Sequence, residues 1–119
     1  MNTPADYQFL SISRAMEFID DEGGVMTLLH TLSQSLREDL PRIEEALAGG
    51  DVPGANAWLH QLKGFAPVFC TDALVAEVVQ VEALSKRGTA QEVQAAYAVL
   101  APRLAGLQQE VDRHIAANP

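Results

Sequence analysis

Apolar residues recur every three or four positions through nearly all of this chain, and that spacing restricts it to helices packed face to face. Val25, Leu28, Leu29, Leu32, Leu36, Leu40, Ile43 and Leu47 mark one long stripe. Val93, Tyr97, Leu100, Leu104, Leu107, Val111 and Ile115 mark another. Between them, Leu74, Val75, Val78, Val81 and Leu84 predict a shorter helix, and Phe9, Ile12, Met16 and Ile19 predict one over about residues 5–19. Nowhere does strand alternation coincide with turn dipeptides.

The stripes are separated by helix punctuation. Asp20-Asp21-Glu22-Gly23-Gly24 supplies acidic groups for a helix start, and Gly49-Gly50 supplies a stop. Asp51 and then Thr71 or Asp72 suit N-caps, Ser85-Lys86-Arg87-Gly88 suits a C-terminal end, and Thr89-Ala90-Gln91-Glu92 has the form of a capping box. Pro41, Pro67 and Pro102 each remove one helical hydrogen bond, so a bend or an end is expected near each. Short connections make neighbouring helices antiparallel. The expected fold is all-α: one domain over residues 1–119, with an up-down-up-down four-helix bundle over about 22–117 and a short extra N-terminal helix.

Composition narrows the function. With 119 residues the chain supports one core. Its net charge of −8, with eight Lys and Arg scattered apart from the pair Lys86-Arg87, excludes the concentrated basic face that nucleic acid requires. No apolar run nears the roughly 20 residues of a membrane span, and the start MNTPADYQFL lacks the pattern of a secretory leader. A cytoplasmic location is expected. Cys70, the one cysteine, excludes an intrachain disulfide and is expected to be a small buried apolar residue. The apolar stripes are consumed within one bundle, which predicts a monomer. There is no H-E-x-x-H, no Cys–His cluster and no phosphate-binding glycine loop.

The stretch DVPGANAWLHQLKGFAPVFC, residues 51–70, is the most informative. On a helix, Trp58, Leu59, Leu62, Phe65, Ala66 and Phe69 cluster on one side, while His60 falls about 160° from Leu62. Asn56, Ala57, Lys63, Gly64 and Pro67 share its sector. The core does not need a histidine there, so its imidazole is accessible. Imidazoles titrate near ~6.5, so a neutral ring offers a lone pair without a dedicated base. Gly64 costs about 1 kcal/mol of helix stability relative to alanine. Its outward position disfavours helix packing as the reason and favours close approach by another protein. His30 and His114 stand at no useful spacing from one another.

The segment His60-Gln61-Leu62-Lys63-Gly64-Phe65-Ala66 resembles the H-x-L-K-G-x-[AS] motif of histidine-containing phosphotransfer (HPt) domains. The similarity extends over Phe18-Ile19-Asp20-Asp21, Asp39-Leu40-Pro41, Ala46 to Asp51, and Val81-Glu82-Ala83. It departs from the family at Cys70, where glycine is usual, and at Pro67.

The resemblance implies a phosphorelay intermediary of two-component signalling, with His60 the phosphorylated residue. Response-regulator receiver domains and a hybrid sensor histidine kinase would be its partners. Such a carrier has no ATP-dependent kinase activity of its own and no cofactor; the Mg²⁺ for transfer is held by the receiver. Lys63 would offset phosphoryl charge, Gly64 would admit the partner, and Glu82 matches the family position that holds the Nδ1–H of the imidazole. Ala57, Gln61, Pro67 and Val68 would line the docking surface. The alternative is a bundle that docks a receiver or kinase domain without being phosphorylated.

Overall fold

A computed structural model describes residues 7–118. Among these residues the chain forms five helices: α1 (Ile12–Ile19), α2 (Glu22–Ala48), α3 (Val52–Phe69), α4 (Asp72–Leu84) and α5 (Ala90–Ala117). Helix α2 packs against α3 and α5, and α4 packs against the same two, which closes the antiparallel four-helix bundle. Helix α1 lies across α2 and α3. The expected all-α fold is the observed one.

The helix boundaries follow the local chemistry. Asp21, Asp51 and Thr89 cap α2, α3 and α5, their side chains accepting from the backbone N–H of Gly24, Gly54 and Glu92. The Thr89–Glu92 capping box is complete. Thr71 occupies the N-cap position of α4 without a side-chain cap bond, and Asp72 in the first turn pairs with Arg14 instead. Gly50, at a φ of 75°, turns the chain between α2 and α3 in the left-handed region that glycine tolerates. Helices α2 and α5 run on through Pro41 and Pro102, both solvent-exposed, each proline removing one backbone donor from its helix. Helix α3 ends at Phe69, two residues after Pro67.

The core is aliphatic. Leu29, Leu36 and Ile43 of α2 meet Leu59 of α3, Leu74 of α4 and Leu100, Leu104 and Leu107 of α5, all fully buried. Cys70 joins them, and burial pushes its thiol up to about 12, which makes it a packing residue.

The N-terminal helix is shorter than the expected span of about 5–19. It starts at Ile12 with Ser11 as its cap; residues 5 and 6 of that span lie outside the described residues. Residues 7–11 form a non-helical strap, bent at Gln8 and Phe9 and bridged to Cys70 at Leu10. Glu110 of α5, itself buried, accepts the backbone N–H of Gln8, Phe9 and Leu10 at 3.2, 2.9 and 3.0 Å. Ser11 donates to the Phe69 carbonyl at 2.7 Å, Thr71 to the Phe9 carbonyl at 3.0 Å, and the Phe9 ring covers Gly106. These bonds take the amides that a helix would otherwise have used.

Candidate functional site

Helix α3 buries Ala55, Leu59, Leu62, Ala66 and Phe69, with Trp58 and Phe65 half-buried on its flanks. Arg42 of α2 stacks over Trp58, 4.8 Å from the ring centroid. That seating turns Ala57, His60, Gln61 and Gly64 to solvent, while Lys63, Pro67 and Val68 are half-buried at the edge of the same face. The His60 side chain is 67% exposed.

Directly behind the imidazole lies Glu82 of α4, with its side chain only 1% exposed. On α4 it stands four residues after buried Val78, in the apolar sector of that helix. A carboxylate in such a place must be compensated by its neighbours. Lys63 Nζ lies 3.2 Å from Oε1; Lys86 Nζ lies 3.4 Å from Oε2. Asn56 Nδ2 donates to Oε2 at 3.1 Å. His60 Nδ1 is 3.6 Å from that same oxygen, just beyond hydrogen-bond distance. Burial works to raise the Glu82 pKa, but the bonds from Lys63, Asn56 and Lys86 outweigh it and hold the carboxyl below its ordinary value.

The structure thus gathers His60, Lys63, Gly64 and Glu82 at one place. Two ammonium groups and one carboxylate leave a single net positive charge beside an imidazole that presents Nδ1 to Glu82. An exposed ring nitrogen next to surplus positive charge is suited to meet an anionic group.

Gly64 differs from the other glycine of this helix. A side chain at Gly54 would strike the Asp51 carboxylate that caps α3. A side chain at Gly64 would meet nothing within 4 Å. Packing inside the protein therefore does not require glycine at position 64, in keeping with its outward position.

Sequence reasoning did not assign three members of this cluster. Asn56 stands four residues before His60, and Lys86 four residues after Glu82, the spacing at which helical side chains meet. Ser85, 4% exposed, accepts from Asn56 Nδ2 at 2.8 Å and donates to the Glu82 carbonyl at 2.6 Å. The remaining histidines lie apart from the site. His30 is exposed on α2, and His114 of α5 shares a 3.0 Å hydrogen bond between its Nδ1 and the Tyr7 hydroxyl. Among the described residues no group of His, Cys, Asp and Glu could hold a metal ion, and no helix is long and apolar enough to cross a membrane.

No curated protein and no solved structure matched the chain. The family model for the Hpt domain matches residues 27–117, which include every residue of the cluster around His60. The chain belongs to the Hpt domain family.

Proposed function

We propose that this protein is a phosphorelay carrier that accepts a phosphoryl group on His60 from a receiver-domain aspartyl phosphate and passes it to another receiver. Hpt domains serve histidine phosphotransfer in phosphorelay signalling. What carries the reading to a particular atom is the exposed imidazole with its Nδ1 3.6 Å from the buried Glu82 carboxylate.

In the reaction, Glu82 accepts the Nδ1–H of His60 and so keeps the Nε2 lone pair free. Nε2 attacks phosphorus; the P–N bond forms as the acyl-phosphate P–O bond breaks, and the aspartate carboxylate leaves with that electron pair. The ring becomes a phosphoimidazolium whose Nδ1–H faces Glu82, so the new positive charge is offset where it develops. Lys63 and Lys86, 35% and 55% exposed, are long enough to turn from Glu82 toward the phosphoryl oxygens. For onward transfer a second receiver carboxylate attacks phosphorus, and the P–N electron pair returns to Nε2.

Gly64, with Ala57, Gln61, Pro67 and Val68 around it, is the surface on which the receiver sits. The phosphoryl group enters the relay from a hybrid sensor histidine kinase. Mg²⁺ belongs to the receiver, and the carrier works as a cytoplasmic monomer without a cofactor of its own.

The test is incubation with phosphorylated receiver domains. We expect an acid-labile, base-stable phosphate on the protein that disappears in His60→Gln, with folding unchanged. A protein that binds receivers but never takes the label would instead be a non-phosphorylated docking module.

A further inference from the structure

Glu82 is held by groups of two kinds. Lys63 and Lys86 are long and partly solvated, and in the proposed reaction both turn to the phosphoryl group. Asn56 is short and part-buried. One of its two N–H groups goes to Glu82 Oε2 at 3.1 Å and the other to Ser85 Oγ at 2.8 Å. Ser85 donates in turn to the backbone carbonyl of Glu82 at 2.6 Å. The orientation of the Asn56 amide is dictated by its surroundings, because a carboxylate oxygen and a hydroxyl whose proton is already committed can only accept.

The consequence is a closed clip. Asn56 ties the carboxylate of Glu82, through Ser85, to the backbone of Glu82 itself, and does so across the α3–α4 interface. Asn56 and His60 stand one turn apart on α3 and share Oε2 as the atom they both face. The clip therefore holds Oε2, the atom that faces Nδ1 and that Lys86 also reaches at 3.4 Å, by a bond that remains when the lysines turn away.

We infer that Asn56, acting through Ser85, is a positioning residue: it holds Glu82 in place so that His60 keeps its proton on Nδ1 while Lys63 and Lys86 move to the phosphoryl group. This rests on the phosphocarrier reading for its purpose but not for its first measurement. Without the clip the carboxylate follows the lysine ammonium groups, and Nδ1 loses a fixed acceptor.

The experiment compares Asn56→Ala, Ser85→Ala and Ser85→Thr with the unaltered protein. In the unphosphorylated protein, imidazole ¹⁵N shifts should show neutral His60 biased toward the tautomer protonated at Nδ1, the bias that a carboxylate 3.6 Å away imposes short of a full hydrogen bond. Asn56→Ala should move both shifts toward a tautomer mixture, Ser85→Ala should do so less, and Ser85→Thr should restore the starting values. With a phosphorylated receiver as donor, kcat should fall about tenfold in Asn56→Ala while KM stays within about twofold, because Asn56 lies behind the docking face. Wild-type shifts in both alanine variants would overturn the inference, as would a loss confined to KM. Absence of label on the unaltered protein would remove the phosphocarrier reading, and the tautomer measurement would still decide the clip.

Discussion

Two glutamates are buried in this bundle, and they are compensated in opposite ways. Glu110 is satisfied by three backbone N–H groups of the strap, which have nowhere else to go once residues 7–11 are docked. Glu82 is satisfied by side chains, two of them partly exposed lysines, and has an imidazole beside it that is not yet within hydrogen-bond distance. The first arrangement is fixed by the main chain and serves as a staple. The second can exchange partners without disturbing a helix, as a group that answers a changing charge on its neighbour must do. Burial by itself does not distinguish the two carboxylates; what neutralises them does, main-chain amides in one case and partly exposed side chains in the other.

The sharpest way to break this contrast is to remove each carboxylate in turn. Glu110→Ala should cost about 3 kcal/mol of stability, since bonds from several amides to a charged acceptor are lost together. Phosphotransfer measured well below the melting temperature should hardly change. Glu82→Gln, which keeps the buried volume and an oxygen to accept from Asn56, should do the reverse: transfer falls by more than about tenfold, while stability shifts by less than about 1 kcal/mol, because the released, partly exposed ammonium groups return to water. Chemical denaturation and single-turnover transfer on the same two variants check both halves. Equal effects on both properties would erase the distinction.

Acid should reach the two ends of the bundle in separate windows. Burial depresses His114, so the unfolded chain binds its proton more readily, and stability is lost as pH falls below 6.5 toward the folded-state value. Glu82 is also depressed, so its contribution is complete above 4.5 and is lost as pH falls through its folded-state value. Melting temperature against pH should therefore decline in two stages. His114→Gln should flatten the upper stage, and Glu82→Gln the lower one. The upper decline surviving in His114→Gln would show that the strap end is not its source.

The two glycines of α3 provide a finer test. Gly64→Ala should stabilise the fold by up to about 1 kcal/mol and weaken receiver docking, raising KM. Gly54→Ala should destabilise it by displacing the Asp51 cap. Docking that is indifferent to Gly64→Ala would mean that the partner does not approach over this glycine.

Most of the bundle was legible in the sequence because its determinants are local. Apolar spacing located the helices, and the capping roles of Asp51 and Thr89 could be read from a few adjacent residues. Residues 7–11 read as helix because Phe9 continues the spacing of Ile12 and Met16. What keeps them out of a helix is Glu110, about a hundred positions away, and local spacing carries no trace of it. The exposed faces of His60 and Gly64 followed from the same periodicity. Glu82 came only from the resemblance to HPt domains, although its place four residues after Val78 already puts a charge in an apolar sector. Asn56 and Ser85 gave less: short polar side chains become informative only when the two helices are set side by side.

Phosphotransfer through this protein turns on one ring nitrogen of His60. Protein labelled with ¹⁵N in its histidines and phosphorylated by a receiver can be examined for coupling between ³¹P and each imidazole nitrogen. The account predicts coupling to Nε2 of His60, with Nδ1 still protonated toward Glu82. Phosphorus bound to Nδ1, or to any other residue while His60 remains unmodified, would contradict it.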